Sequence, residues 1–206
     1  MHILITAGPT REYIDDVRFL SNASSGRMGY ALAEAARRHN WQVTLVSGPV
    51  SLAPPTGVEV HRVTSALEML ETCLQVLPLV DGVIAVVAVA DYRPASRHAG
   101  KLRRTQESLH LELVPNPDIL AEIGRRKTRQ WTVGFAVESD ESLARARSKL
   151  ASKNCDAIVV NLREAMESIN TKIQLLDRTG SVSLEFQGPK ELAAERIVDW
   201  IGAHLV

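Results

Sequence analysis

From Gly82 to Val89 the chain reads Gly-Val-Ile-Ala-Val-Val-Ala-Val, without a polar side chain in the run. A strand that faces a core on one side and water on the other alternates apolar with polar residues. A run without alternation belongs in a parallel sheet covered by helices on both faces. Parallel neighbours cannot be joined by tight turns and need crossovers of a dozen or more residues. Helices must therefore stand between the strands.

The flanking sequence supplies them. Ile3 to Thr6 is a short apolar run ending in the loop Ala7-Gly8-Pro9-Thr10, and a polar stretch follows to Ser25. From Gly26 to His39, residues Met28, Leu32, Ala35 and Ala36 fall at helical spacing, with Ser24 or Ser25 available as the N-cap and Asn40 as the stop. Gln42 to Val46 is β-rich and closes at Ser47-Gly48-Pro49, which completes a strand-loop-helix-strand unit. A strand near Val58 to Val63 and a helix from Ala66 to Val76 lead to the strand Gly82 to Val89.

Beyond Asp91, the segment Tyr92 to Gln106 holds Arg93, Arg97, Lys101, Arg103 and Arg104 and reads as a mobile basic loop. The alternation of Leu109, Leu111 and Leu113 then predicts a strand. Pro117 to Ile123 reads as a helix capped by Asn116 with Pro117 at its first position. Strand Trp131 to Val137, helix Glu141 to Ser152 and strand Ala157 to Val160 continue the alternation. Lys172 to Leu176 and Val182 to Phe186 flank Asp177-Arg178-Thr179-Gly180 as a hairpin, and Pro189 to Ile201 is an amphipathic helix. The expected fold is α/β: a Rossmann-like, doubly wound, mainly parallel sheet flanked by helices, with a C-terminal β-hairpin appended. At 206 residues, with no repeat or low-complexity linker, the chain reads as one domain spanning 1–206.

Composition narrows the function. Lys plus Arg number 24, as do Asp plus Glu, so no global charge draws the chain to nucleic acid or an anionic membrane, and affinity for phosphate must be local. The start Met-His-Ile-Leu-Ile-Thr lacks a basic leader, and no stretch approaches the roughly 20 apolar residues that cross a bilayer. Cys73 and Cys155 sit in apolar stretches and form neither a disulfide framework nor a metal-ligand spacing, and the six histidines show no ligand spacing either. The expectation is a reduced, cytoplasmic protein.

The local candidate is Ser21 to Gly29. A helix begins with unpaired N–H groups and partial positive charge, and Ser24, Ser25 and Gly26 add hydroxyls and close backbone approach, which together suit an anion. Ser-Gly pairs also serve simply as caps, and local features do not separate the two readings. The segment is neither a P-loop nor a Gly-x-Gly-x-x-Gly fingerprint, and the second strand ends without the acidic residue that NAD binding asks for. Three clusters, Ala90-Asp91-Tyr92-Arg93, Asn116-Pro117-Asp118 and Gly134-Phe135-Ala136-Val137-Glu138, fall at the ends of later strands, where open α/β sheets bind ligands. Lys149 and Lys153 stand four apart on one helix, either as a solvated face or as a pair turned toward one polyphosphate.

Ile5-Thr6-Ala7-Gly8-Pro9-Thr10-Arg11-Glu12, Ser21-Asn22-Ala23-Ser24-Ser25-Gly26-Arg27-Met28-Gly29 and Ala88-Val89-Ala90-Asp91-Tyr92-Arg93 closely resemble bacterial phosphopantothenoylcysteine synthetase, the phosphopantothenate-cysteine ligase of coenzyme A biosynthesis. The likeness continues through Lys101-Leu102-Arg103-Arg104, Asn116-Pro117-Asp118-Ile119, Gly134-Phe135-Ala136 and Lys149-x-x-x-Lys153-Asn154-x-Asp156. It implies that the carboxylate of 4'-phosphopantothenate attacks the α-phosphate of CTP, giving an acyl-cytidylate and pyrophosphate, and that the amine of L-cysteine then displaces CMP. Asn22 matches the asparagine that holds the intermediate, and Lys101 the lysine of a flap that closes over it. Gly8, Ser24, Ser25, Gly26, Ala88, Asp91, Asp118, Ile119, Phe135, Lys149 and Lys153 match positions lining the substrate and nucleotide site, although Phe135 reads equally as a core residue. Mg2+ and a homodimer are implied, with phosphopantothenate near the subunit boundary; some members use ATP.

Arg27 stands where the family usually has lysine, and Leu102-Arg103-Arg104 replaces a more lysine-rich flap, so charge is kept while geometry shifts. Between Asn161 and Ile173 the chain is shorter than usual and lacks the expected aromatic-glycine turn, which bears on dimer geometry. Met1 leads straight into the synthetase strand, so the expectation is a stand-alone form without the flavin-dependent decarboxylase.

Overall fold

Along the first strand Ile3, Ile5 and Ala7 point to one face and Leu4 and Thr6 to the other, and all five are fully buried. Both faces are therefore covered, as a parallel sheet requires. The computed structural model describes residues 1–104, 106–138, 143–162 and 170–206, with the side chains of Glu138 and Leu162 outside that description.

The strands are β1 (His2–Ala7), β2 (Arg11–Tyr13), β3 (Phe19–Ser21), β4 (Gln42–Ser47), β5 (Glu59–Arg62), β6 (Gly82–Ala85), β7 (Tyr92–Pro94), β8 (Leu113–Pro115), β9 (Trp131–Glu138), β10 (Ala157–Leu162), β11 (Asn170–Leu176) and β12 (Val182–Pro189). The helices are α1 (Arg27–Arg38), α2 (Ala66–Val76), α3 (Ile119–Arg126), α4 (Ala144–Ser152) and α5 (Lys190–His204), with a short 3-10 turn at Leu77–Leu79. Eight strands form one sheet in the order β12-β11-β10-β9-β6-β1-β4-β5. It is parallel from β5 to β10 and antiparallel at β10-β11-β12.

Ile3, Ile5 and Ala7 pack with Leu32, Ala33 and Ala36 of α1 and with Ala193, Ala194, Ile197 and Ile201 of α5. The run of alanines on both helices lets them lie close together on that face. Leu4, Val46 and Val83 meet Met69 and Cys73 of α2 and Ile119 and Ile123 of α3 on the other. Ala146 and Leu150 of α4 cover Ile158 and Val160. Each fully buried Leu or Ile contributes about 1.5–3 kcal/mol relative to exposure, so the central strands anchor the molecule. Among the described residues no helix is long and apolar enough to cross a membrane.

The doubly wound α/β fold stands as expected, with several local corrections. The apolar run from Gly82 leaves the sheet after Ala85: Val86 shares its N–H between the Thr6 carbonyl (3.3 Å) and the Thr6 hydroxyl (3.2 Å), and the same hydroxyl accepts the N–H of Val87 (3.3 Å). Neither Ser24 nor Ser25 caps α1; its N-cap is Gly26, without a side-chain cap. Helix α3 is capped by Asp118 rather than Asn116, and Pro117 precedes it. The strand expected at Leu109 to Leu113 begins only at Leu113, with Leu109 and Leu111 exposed outside it. The hairpin drawn as an appendage is the antiparallel end of the main sheet. Two small antiparallel sheets also form: β2-β3 lies in the stretch read as a polar segment, and β7, at the start of the basic loop, pairs with β8. Positions 141 and 142 of the helix expected from Glu141, and most of the shortened 161–173 segment, lie outside the described residues.

Cys73 and Cys155 are buried, and burial pushes their thiols up to about 12 and about 11, with Lys127 and Lys153 partly opposing the rise at Cys155. Thiolate, not thiol, reacts with disulfide reagents. At pH 8 the folded chain should therefore leave both cysteines unmodified by an aromatic disulfide over a time in which the urea-unfolded chain titrates two, as read by absorbance.

Candidate active site

β1 has β4 on one side and β6 on the other, all parallel, so the order of connection reverses between β1 and β6. A crevice opens at such a point beyond the carboxyl ends of the strands. The segment after β6 is stitched across it. Ala88 donates its N–H to Gly8 O (2.9 Å), Thr10 donates to Ala88 O (3.3 Å), and Thr10 Oγ1 accepts from Ala90 N (3.1 Å). Thr6 and Thr10 are fully buried, so these hydroxyl contacts occur where an unpaired amide would be costly.

Helix α1 begins at the same edge. Gly26 adopts φ 76°, and Tyr30 N donates to its carbonyl at 3.2 Å in the first helical bond. Ser24 Oγ accepts from Gly26 N at 3.4 Å, so it closes the preceding turn rather than the helix end. Without a side-chain cap, the first N–H groups of α1 face a small cavity of about 120 Å³ whose lining includes Gly8, Ser24, Ser25, Gly26, Ala88 and Phe135.

A larger cleft of about 550 Å³ lies alongside. Asn22, Ala88, Asp91, Asp118, Ile119, Phe135, Lys149 and Lys153 all line it, so the cleft joins most of the residues expected from the sequence. Ala88 and Phe135 are shared by the two cavities, and Phe135 also packs against the core, which unites the two readings left open for it. Asn22 donates Nδ2 protons to Val89 O (2.7 Å) and Ala88 O (3.2 Å). Its amide thus orients the stitched segment. Asn116 performs a similar task, with Nδ2 on Ala90 O (2.7 Å) and its N–H on Asp91 O (2.8 Å). Asp118 accepts from Ala121 N (3.0 Å) through one oxygen and pairs with Lys153 Nζ (3.0 Å) through the other. Lys153 stands just past the end of α4, and Lys149 lies in its last turn, where cations suit the helix dipole.

Lys101 is placed differently. It is exposed and lines a separate basic recess with Arg18, Leu102, Arg103 and Arg104, not the cleft of Asn22. The adjoining backbone is tied to the β2-β3 hairpin, where the buried Asp15 receives the N–H of Leu102 (3.0 Å). Burial alone would raise the Asp15 carboxyl, but its hydrogen bonds from Arg18, Val17 and Leu102 outweigh it and hold the group well below the usual carboxylate range. The tie therefore persists through mildly acidic pH and is lost only as pH falls through that lowered value.

Residues 1–205 match the DNA/pantothenate metabolism flavoprotein C-terminal domain family. The chain belongs to this family. It is 39% identical over 201 residues to the coenzyme A biosynthesis bifunctional protein CoaBC of Haemophilus influenzae, covering 96% of this chain and 50% of that protein. A crystal structure of the C-terminal domain of such a CoaBC protein is 40% identical and superposes with a TM-score of 0.85, covering 99% of this chain and 95% of that one. A Cab2 mutant solved in complex with phosphopantothenate-cysteine shares the fold at 19% identity, with a TM-score of 0.78 over 98% of this chain and 88% of that one. The chain spans about half the length, or less, of the curated relatives it matches.

In this family member, Arg27 at the start of α1 also lines the small cavity, with Asn161 and Lys190, two residues that the sequence reading did not assign to the site. Lys190 is 4% exposed and opens α5. Burial pushes its ammonium below the usual lysine range, Arg27 adds to the shift, and Glu191 opposes it. The available signal was a lysine in the first turn of a helix, where the dipole disfavours a cation.

Gly26 cannot be replaced quietly. A Cβ there would sit 2.8 Å from Val50 Cγ1 on a left-handed backbone. Gly26→Ala should lower unfolding stability by about 1–3 kcal/mol in urea titrations, whereas an alanine at the exposed Gly100, where a Cβ meets nothing within 4 Å, should cost less.

Proposed function

We propose that this chain is a phosphopantothenate-cysteine ligase. It joins 4'-phosphopantothenate to L-cysteine at the expense of CTP, through an acyl-cytidylate, and releases pyrophosphate and CMP. The observation that supports this most is the convergence, at one switch-point crevice, of the uncapped N-terminus of α1, Asn22, and the Lys149 and Lys153 cleft, in a chain of this family. A nucleotide polyphosphate meets N–H donors and cations there, and the acyl group would lie against Asn22.

The chemistry needs no protein nucleophile, because the substrate carboxylate attacks phosphorus and the substrate amine attacks the acyl carbon. What the protein must supply is position and charge stabilisation. In this reading Asn22 exchanges its contacts with Ala88 O and Val89 O for an oxygen of the intermediate, donating without adding charge. Lys101 acts from its flap, which closes toward the cleft together with the β2-β3 hairpin that holds it at Gly100 and Leu102. Lys153 divides its charge between Asp118 and the phosphates.

Magnesium fits this cleft as an ion carried by the phosphates. Asp91 and Asp118 both line it, and Mg2+ typically keeps several waters and binds through one or two carboxylates plus substrate oxygens. When bound it would neutralise charge on the departing pyrophosphate. The homodimer implied by the family belongs to the same proposal; the exposed Val17, Tyr92 and Leu113 around the two small sheets offer apolar surface for it.

Pyrophosphate release on mixing phosphopantothenate and CTP, with and without cysteine and with ATP in parallel, tests the reading; no release with either nucleotide would refute it. Asn22→Asp places a carboxylate where Nδ2 now faces two carbonyl oxygens and removes the donor. Amide formation should fall about 100-fold or more while CTP still binds by calorimetry. Unchanged synthesis in that variant would remove Asn22 from the mechanism.

A further inference from the structure

The turn of the β2-β3 hairpin contains two adjacent carboxylates that behave differently. Asp15 is fully buried, whereas the side chain of Asp16 is half exposed. Asp15 Oδ1 accepts from Val17 N (2.8 Å) and Arg18 N (2.7 Å), which by itself completes the turn. Its second oxygen has no part in that local motif. Oδ2 accepts from Arg18 Nε (2.9 Å), Arg18 Nη2 (2.5 Å) and, across 87 positions of sequence, Leu102 N (3.0 Å). Arg18 Nη2 also donates to Leu102 O (2.6 Å). On the other side of Lys101, Gly100 donates its N–H to Asp16 Oδ2 (2.9 Å), and Gly100 O accepts from Asp16 N (3.4 Å). Asp16 Oδ1 also holds Arg97 Nη2 (2.9 Å).

We propose that Asp15, assisted by Asp16, is a positioning residue for Lys101. The backbone is gripped at Gly100 and again at Leu102, and Lys101 is the residue between the grips. Its side chain is projected from a platform held to the β2-β3 hairpin, although the surrounding Arg18, Arg103 and Arg104 repel it. The platform also connects the two ends of the proposed chemistry. The hairpin that carries Asp15 at its turn ends at Ser21, whose hydroxyl is tied to Thr10 O (2.7 Å), and the next residue is Asn22. The functional part of this proposal rests on the ligase reading, in which Lys101 assists the reaction; the mooring itself does not.

Asp15→Asn isolates the second oxygen. The amide oxygen can keep Val17 N and Arg18 N, but the NH2 group then faces Arg18 Nε, Arg18 Nη2 and Leu102 N, donor against donor. Lys101, Arg103 and Arg104 are themselves trypsin sites, so limited digestion followed by mass spectrometry reads the mooring without substrate. Cleavage after these residues should accelerate about tenfold or more, because a charge-assisted bond lost from a loop shifts local opening by that order. In pre-steady-state assays the rate of acyl-nucleotide formation should also fall about tenfold or more, with the Kd for CTP unchanged. A loss of global folding would instead weaken binding and expose sites throughout the sheet. If Asp15→Asn does not fold, Asp16→Asn tests the Gly100 grip from an exposed position, with a smaller change in the same direction.

Trypsin rates at these sites equal to wild type would overturn the mooring whatever reaction the chain performs. A loosened segment with undiminished acyl-nucleotide formation would overturn the positioning role. A wild-type chain that releases no pyrophosphate refutes the ligase reading and its kinetic consequence, while the digestion still decides whether Asp15 holds the segment.

Discussion

The crevice depends on the fact that the chain after β6 stops pairing as a strand while remaining bound to β1. The buried Thr6 takes two successive amides, Val86 N shared between its carbonyl and hydroxyl and Val87 N on the hydroxyl, and so turns the backbone out of the ladder without leaving those groups unsatisfied. Thr10 repeats the device one step further on, through Ala90 N and Ala88 O. Had the run continued as a strand to Val89, it would have filled the space beyond the end of β1, where Gly8 and Gly26 now approach. Everything assigned to ligand binding is built around that gap: the start of α1 on one side, Asn22 spanning it, and the Asp91 and Asp118 cleft on the other.

This explains what could and could not be read from residue order. Helices α1, α2 and α5 and the central strands were legible because burial on one or both faces imposes a period, and period survives in sequence. The end of β6 was not, because Val86 to Val89 are as apolar as the strand before them and the group that diverts them lies 80 positions away in Thr6. The caps failed for a related reason. Ser24, Ser25 and Asn116 have the right side chains for capping, but Ser24 closes a turn and Asn116 is engaged by Ala90 O, which leaves Gly26 and Asp118 at the helix starts.

Site residues divided along similar lines. Asn22, Asp91 and Asp118 fall together because the carboxyl ends of the parallel strands β1 and β6 share one edge and the segments that follow them are bonded to one another there. Lys101 sits elsewhere because its segment is governed by contacts with Asp15 and Asp16, distant in sequence. Lys190 carried only the weak signal of a cation in the first turn of a helix, and a lone lysine opening an amphipathic helix ordinarily reads as solvated surface.

The antiparallel end of the sheet accounts for Lys190. Strands β9 and β10 run parallel to β1, so a helix after β10 begins at the crevice edge. Strand β11 reverses the chain and β12 reverses it again, which returns the next helix start to the same edge. Helix α5 then packs beside α1 over one face, and their first residues, Lys190 and Arg27, both line the small cavity. Two helix N-termini with their partial positive charges and two cationic residues thus meet at one place, where burial chiefly lowers the proton affinity of Lys190, Arg27 adds to the effect and Glu191 opposes it. In a chain whose formal charges balance, such a grouping arises from topology rather than composition. The hairpin is therefore coupled to the proposed chemistry through the helix it orients, although its own strands lie at the far edge of the sheet.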